Sequence, residues 1–180
     1  MEKRTKNIRY VAAMAMLTAI SIVLGKYLGI NVGEFMRFSL ENMPIIFAGV
    51  ALGPISGVIV GVVADLIGCL MMGWVPIPWV TVGAAVIGAV SGVLPSLLQK
   101  TKLNPVLVTA ITVALAHLFG SVLVKTIGLS AFQGIPYYIL LLWRTLNYLI
   151  IGTLDGIILH ILLMSKGISM QIKELGGREK

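Results

Sequence analysis

Four long apolar runs occupy much of the chain, at residues 10–28, 80–98, 105–127 and 138–164. A helix rises ~1.5 Å per residue, so it needs about 20 apolar residues to cross a hydrocarbon core ~30 Å thick. Each of the four runs reaches about that length. They therefore predict four membrane-spanning helices.

A further apolar stretch, residues 40–72, is too long for one crossing and contains the dipeptide Gly53-Pro54. As a single helix it would measure about 50 Å, well beyond the thickness of the hydrocarbon core. Proline removes a helix hydrogen bond, and Gly-Pro is typical of a turn. We therefore predict a short helix over 40–52, followed by a spanning helix over 54–72.

The basic residues decide between five and six crossings, because ten of the 14 lie in three clusters that flank the apolar runs. The clusters are Lys3, Arg4, Lys6 and Arg9; Lys100 and Lys102; and Lys166, Lys173, Arg178 and Lys180. Cytoplasmic loops carry an excess of Lys and Arg, and only six crossings put all three clusters on that side. We predict one all-α membrane domain over residues 1–180, a six-helix bundle with both termini cytoplasmic.

The short second helix gives the first indication of function, because at about 20 Å it cannot cross the membrane alone. The preceding residues 31–39, which include Glu34 and Arg37, must then reach below the outer surface. Irregular backbone at that depth is tolerated only when it is buried in protein or lines a water-filled cavity. The lengths therefore indicate a pocket that opens to the outside.

The composition agrees with a membrane protein, with 58% hydrophobic and 12% charged residues and a mean hydropathy of +0.99. In soluble domains about half of the residues are hydrophobic and about a quarter are charged. The composition therefore excludes a cytosolic enzyme, a nucleic-acid-binding domain and a disordered chain. The net charge of +7 lies mostly in the clusters beside the spans. Cys69 alone provides neither a disulfide nor a zinc site, and the first run is too long for a cleavable signal peptide.

Motifs of catalysis are missing from the chain. It has no P-loop, no His-Glu-x-x-His and no Gly-x-Ser-x-Gly, so it carries no ATPase of its own, and we predict neither an enzyme nor a cofactor or metal. Asp65 and Asp155 lie on different helices at different depths, and His117 and His160 are also separate. We expect Asp155 and His117 to be structural residues.

Small residues recur four positions apart. Gly49, Gly53, Gly57 and Gly61 form one such series, Gly88 and Gly92 another, and Ala15 and Ala19 a third in the first helix. Small residues at this spacing let helices approach closely in lipid. We expect the glycines to serve internal packing. The alanines either pack internally or offer a flat face to a partner protein.

Several strings resemble one family of membrane proteins. Arg37-Phe38-Ser39, Pro44-Ile45-Ile46-Phe47-Ala48-Gly49, Gly53-Pro54 and Gly57-x-x-x-Gly61-Val62-Val63-Ala64-Asp65-Leu66-Ile67-Gly68 are similar to the substrate-binding S components of energy-coupling factor (ECF) vitamin transporters. The folate-type group is the nearest. Its aromatic Pro-Gly-Phe-Thr-like segment is replaced here by Trp74-Val75-Pro76-Ile77-Pro78-Trp79-Val80-Thr81, which keeps the proline, an aromatic residue and Thr81 but lacks the glycine.

The resemblance implies a receptor for a vitamin, folate first, in a prokaryotic plasma membrane. Its partners would be a transmembrane scaffold and two cytoplasmic ATPases, which fits the missing nucleotide motif. Ala15 and Ala19 match the family's small-residue face on the first helix, which implies contact with the scaffold. Capture would occur at the outer face, with release after the receptor reorients bodily in the membrane.

Five of the predicted substrate-binding residues are basic or lie beside a basic residue. Arg37 matches the family's arginine before the short helix, which implies a role in ligand binding. The alternative is that Arg37 anchors the chain at the membrane interface. Arg144 shares a helix face with Asn147 and Tyr148, at i+3 and i+4; this patch binds ligand, forms a structural ion pair or anchors the helix. Lys125 binds ligand or extends its amine to the interface. Ionisable groups within a membrane usually face a cavity or the bundle interior.

The remaining candidates are one acid and three residues of the loop between the third and fourth helices. Asp65 accepts hydrogen bonds from a nitrogen heterocycle or pairs with one of the arginines. Trp74 and Trp79 belong to the interfacial aromatic belt or form a lid over a flat ring. Thr81 is a substrate-binding candidate through the resemblance alone.

Other functions remain open alternatives at this point. The vitamin could be riboflavin, thiamine or pantothenate in place of folate. A small secondary transporter would need an inverted repeat and a mid-membrane acid, and the two halves of the chain show no convincing repeat. An intramembrane enzyme has no residue pair in its favour.

Overall fold

The computed structural model describes residues 2–32, 36–98 and 103–175. Glu34, Lys100, Lys102, Arg178 and Lys180, which entered the predictions of the outer loop and of the topology, lie outside the described residues.

Eight α-helices form the described part of the chain: α1 (Glu2–Ile22), α2 (Asn42–Leu52), α3 (Pro54–Met71), α4 (Pro78–Leu98), α5 (Pro105–Ala116), α6 (Lys125–Gln133), α7 (Tyr137–Met164) and α8 (Lys166–Glu174). Two π-helical segments, Val23–Tyr27 and His117–Val124, extend α1 and join α5 to α6. The continuous helix from α5 to α6 counts as one span. Five helices are thus long and apolar enough to cross a membrane, and α2 is a shorter apolar helix. The predicted all-α membrane bundle is confirmed, and the orientation of its termini stays a prediction.

The helix ends follow from local chemistry. Gly53 has a φ of 102°, a conformation open to glycine, and it separates α2 from α3 where Gly53-Pro54 predicted the break. Pro54 occupies the first position of α3, where the missing N–H is not needed. The side chain of Asn104 caps α5 by accepting a hydrogen bond from the Val106 N–H at 3.0 Å, and Gly134, at a φ of 68°, ends α6.

Two helix boundaries lie well away from the sequence prediction, and one helix was not predicted. The first helix begins at Glu2, before residue 10, because hydropathy marks the membrane crossing and the charged residues ahead of it are equally compatible with a helix. The fifth span continues to Gln133, past residue 127, because no helix breaker occurs before Gly134. The amphipathic α8 was not predicted, and its Ile172 packs against the core.

In the segment expected to be an irregular dipping loop, the described residues form two paired β-strands. Strands β1 (Ile30–Val32) and β2 (Met36–Phe38) pair antiparallel, with Asn31 opposite Arg37. Pairing satisfies part of the backbone that the loop would otherwise expose. The correction leaves Arg37 just before the short helix, with its position now set by strand register.

Close helix contacts at glycine hold α3 against α4. A Cβ added at Gly57 would lie 2.6 Å from the carbonyl oxygen of Gly88, and one added at Gly61 would lie 2.6 Å from the carbonyl oxygen of Ala84. A Cβ at Gly88 would overlap the backbone of Gly57. The prediction that these glycines serve internal helix packing is confirmed.

Candidate functional site

A cavity of about 680 Å³ lies at the end of the bundle where α1 ends and α7 begins. Seven of the nine predicted substrate-binding residues line it: Arg37, Asp65, Trp74, Lys125, Arg144, Asn147 and Tyr148. They come from β2, α3, the α3–α4 loop, α6 and α7, so the fold gathers residues that are up to 111 positions apart in sequence. The same side of the bundle was predicted to face outward.

Arg37, Lys26 and Trp74 form one wall of the cavity. The guanidinium carbon of Arg37 lies 5.0 Å from the centre of the Trp74 ring, and the Lys26 amine lies 5.2 Å from it. Both distances are within the range of cation–π attraction. Arg37 Nη2 also donates to the carbonyl oxygens of Gly25, at 2.6 Å, and of Lys26, at 3.5 Å. These bonds tie β2 to the π-helical end of α1.

Asp65 lies across the cavity on α3, at the level of the loop that leads to α4. Its Oδ2 accepts a hydrogen bond of 2.6 Å from the Thr81 hydroxyl, and the Cys69 thiol lies 3.9 Å from its Oδ1. Asp65 is paired with neither of the arginines, Arg37 and Arg144, in the described part of the chain. Thr81 is not among the lining residues, and its contact is with the carboxylate that is.

Lys125 is 3% exposed and forms a buried ion pair at the floor of the cavity. Its Nζ lies 3.3 Å from Glu41 Oε1 and donates to Asn42 Oδ1 at 3.2 Å. Such a position rules out an amine that extends to the interface. Lys125 thus connects the fifth span to the start of the short helix α2.

Arg144 and Asn147 extend from α7 into the same cavity. Arg144 donates two hydrogen bonds to the Ser121 carbonyl oxygen, from Nε at 3.2 Å and from Nη2 at 2.8 Å. Its guanidinium lies 5.3 Å from the ring of Tyr148. The Asn147 amide donates to the Arg37 carbonyl oxygen at 2.9 Å, whereas its Oδ1 is buried without a partner among the described residues.

Trp79 and the two alanines of α1 stand apart from the cavity. Trp79 is 50% exposed, is not among the described lining residues and packs over Gly128. Trp74 therefore is the tryptophan of this loop that borders the cavity. Ala15 and Ala19 are both exposed on the surface of α1, so they do not pack inside the bundle, and their contact with a partner stays a prediction.

Lys26 and Glu41 line the cavity but were not among the predicted ligand residues. Both carry the signal that marked the others, an ionisable group at the edge of an apolar helix. Glu41 directly precedes α2, whereas the sequence predicted it inside the short helix over 40–52. With them included, the described lining has four cationic and two acidic side chains, which leaves an excess of two positive charges.

A sequence model for the family described as ECF transporter, substrate-specific component, matches residues 9–167. Comparison with curated proteins gives no match.

Among solved structures, the chain is similar to FolT bound with folic acid, with a TM-score of 0.66 and 20% identity over 82% of this chain and 86% of that one. It is similar to the S component for biotin from an ECF-type ABC transporter, with a TM-score of 0.65 and 22% identity over 93% of this chain and 97% of that one. It is also similar to the S component of a bacterial ECF transporter, with a TM-score of 0.56 and 19% identity over 88% of this chain and 92% of that one. Likenesses at these identities establish a shared fold.

Proposed function

The chain belongs to the substrate-specific components of ECF transporters, and from that premise we propose that it is the membrane-embedded subunit that binds folate for an importer of this kind. The ligand would occupy the 680 Å³ cavity. A family member of this type binds its substrate and leaves ATP hydrolysis to separate subunits, which agrees with the missing nucleotide motif.

The observation that carries the proposal is the excess of two positive charges in the cavity lining. Unbalanced charge in surroundings of low polarity is costly, so a ligand that supplies two negative charges is favoured. Folate carries two carboxylates on its glutamate. Biotin and pantothenate carry one, riboflavin has none and thiamine is a cation. Charge balance therefore favours folate within this set.

The free hydrogen-bonding groups suggest how folate would lie. An arginine has five N–H donors, and Arg144 uses two of them on Ser121, which leaves three for a ligand. We propose that Arg144 and Arg37 hold the carboxylates. Asp65, or the unpartnered Oδ1 of Asn147, would then accept from the N–H groups of the pterin.

Trp74 would cover the flat ring, and this role can be tested against Trp79, a tryptophan at the start of α4. Trp74 borders the cavity, whereas Trp79 does not. Stacking of a flat ring on an aromatic side chain contributes roughly 0.5–1.5 kcal/mol. Trp74→Ala should therefore weaken binding by about threefold to tenfold, while Trp79→Ala should leave the dissociation constant within twofold.

The experiment that tests the proposal is calorimetric titration of the purified subunit with folate, biotin, riboflavin, thiamine and pantothenate. We expect saturable binding of folate at one site and weaker or no binding of the others. A preference for thiamine would contradict the charge argument. The absence of binding to every compound would overturn the proposed function itself.

Biotin is the second candidate, because a biotin S component matches over 97% of its own length. Its single carboxylate would balance one of the two excess charges, and its ureido group offers N–H donors to Asp65. In the same titration, biotin binding that exceeds folate binding would favour this alternative.

The proposed partners are a transmembrane scaffold subunit and two cytoplasmic ATPases. Ala15 and Ala19 lie exposed on α1, and small residues at this spacing let another helix approach closely. We propose that this face contacts the scaffold.

A further inference from the structure

His117 and Asp155 form a hydrogen-bonded pair deep in the bundle, away from the cavity lining described above. His117 Nε2 lies 2.9 Å from Asp155 Oδ2, and the two residues are 2% and 1% exposed. Ionisable groups at such depth are rare and are usually functional. Neither residue contacts the proposed ligand, so the pair has no place in the function described so far.

His117 contacts both of the groups that hold the guanidinium of Arg144. Its Nδ1 lies 3.4 Å from Ser121 Oγ, and its ring stacks on Tyr148 with 5.0 Å between ring centres. Ser121 supplies the carbonyl oxygen that accepts two hydrogen bonds from Arg144, and Tyr148 supplies the ring beneath its guanidinium. A displacement of the His117 ring would therefore disturb Arg144 from two sides.

The hydrogen-bonding pattern of this cluster is directional. The Asn42 amide donates to Ser121 Oγ at 3.3 Å, so the Ser121 hydroxyl can donate its own proton to His117 Nδ1. The Nε2–H of a neutral His117 then donates to Asp155. The same Asn42 accepts from Lys125, which joins the buried pair to the cavity floor.

We propose that His117, oriented by Asp155, is a positioning residue that fixes Arg144 for the carboxylate of an anionic ligand. The proposal rests on the proposed function for the identity of that ligand. The second π-helical segment supports it, since His117 begins this segment and Ser121 lies within it. Segments of this kind occur frequently at functional sites.

The test replaces the whole pair, because removing one partner alone would strand a buried charge and destabilise the fold. Replacement of a buried pair by apolar residues of similar volume is often neutral for stability. The variant His117→Phe/Asp155→Leu keeps an aromatic ring at position 117 that stacks on Tyr148, but it loses the contact with Ser121. The variant His117→Leu/Asp155→Leu loses both the stacking on Tyr148 and the contact with Ser121. His160→Gln is the matched control, because His160 is a histidine of α7 itself and has no hydrogen bond or ring contact with Arg144 among the described residues.

Folate affinity of the purified subunit is the first measurement. We expect His117→Phe/Asp155→Leu to bind folate about fivefold more weakly or worse, the Leu/Leu variant to lose more, and His160→Gln to bind normally. In an Arg144→Ala background the same double replacement should change affinity by less than twofold, because the group it positions is gone. An equal loss in both backgrounds would overturn the proposal.

The second measurement needs no ligand. The ¹⁵Nε–H resonance of Arg144, assigned by its loss in Arg144→Lys, reports the bond to Ser121. We expect that resonance to shift or to exchange faster with solvent in His117→Phe/Asp155→Leu and to stay unchanged in His160→Gln. An unchanged resonance in the pair replacement would refute the positioning role. If the unaltered subunit binds no folate, the proposed function fails, and this resonance still decides whether His117 positions Arg144.

Discussion

Arg144→Ala separates the proposed ligand orientation from any general effect on the fold. The guanidinium gives two donors to Ser121 and keeps three for the ligand. A hydrogen bond to a charged group contributes ~1.5–3 kcal/mol, and a bidentate arginine–carboxylate contact contains two of them. The loss of even the weaker one exceeds ~1.4 kcal/mol, which is one decade in affinity. We expect folate binding to weaken by tenfold or more.

The assay compares two ligands on two variants. Calorimetry gives dissociation constants for folate and for a pterin that lacks the glutamate, on Arg144→Ala and on Arg144→Lys. The shorter ligand should lose much less affinity on Arg144→Ala. Arg144→Lys keeps the positive charge but lacks the planar guanidinium that binds a carboxylate with two hydrogen bonds. Its dissociation constant for folate should lie between those of the unaltered protein and Arg144→Ala.

Equal loss for both ligands would refute the orientation, because Arg144 would then act on the ring or on the fold. A thermal unfolding curve of each variant distinguishes these two outcomes. If Arg144→Ala unfolds at the temperature of the unaltered protein and both ligands still weaken equally, the arginine contacts the pterin side.

Three further predictions concern the frame around the site. Lys125→Met should destabilise the bundle by roughly 2–3 kcal/mol in a denaturation assay. This is less than the ~3–5 kcal/mol lost when one partner of a fully buried pair is removed, because the carboxylate left unpaired is only three-quarters buried. Unchanged stability would show that the ion pair contributes nothing. Gly88→Ala should lower the unfolding temperature by several degrees, because the added Cβ would overlap the backbone of the facing helix. Gly156→Ala, whose Cβ would meet nothing within 4 Å, should leave the unfolding temperature unchanged. Equal effects of the two substitutions would contradict the helix packing described above. Ala15→Leu/Ala19→Leu should abolish vitamin uptake by cells while leaving binding to the purified subunit intact, and uptake that survives would place the scaffold contact elsewhere.

The features that sequence could predict are those set by local composition. Apolar length located the spans, and Gly53-Pro54 located the break between α2 and α3, because each depends on neighbouring residues only. The small residues spaced four apart, including Gly57 and Gly61 in α3 and Gly88 in α4, predicted close contact between helices, and the contact is present. Seven of the nine ligand candidates line one cavity, since charges near helix ends on one side of a bundle have few other places to lie.

The features that sequence could not predict depend on contacts between distant segments. The pairing of β1 with β2 carries no strong hydropathy signal. His117 and Asp155, 38 positions apart, are hydrogen-bonded to each other, whereas the sequence predicted two structural residues without indicating that they meet. Their meeting depends on the packing of the fifth span against α7, which no local pattern specifies. Glu41 was overlooked because its role is visible only with Lys125 beside it.

The most direct test of the central claim, that the cavity binds a dianion, is the affinity of the purified subunit for folate against its uncharged diester. The two molecules share the pterin and the benzoyl linker and differ in the two negative charges. The excess of two positive charges in the lining predicts that the diester binds weaker by roughly 100-fold, about one decade for each charge. Equal affinity for folate and the diester would contradict the claim.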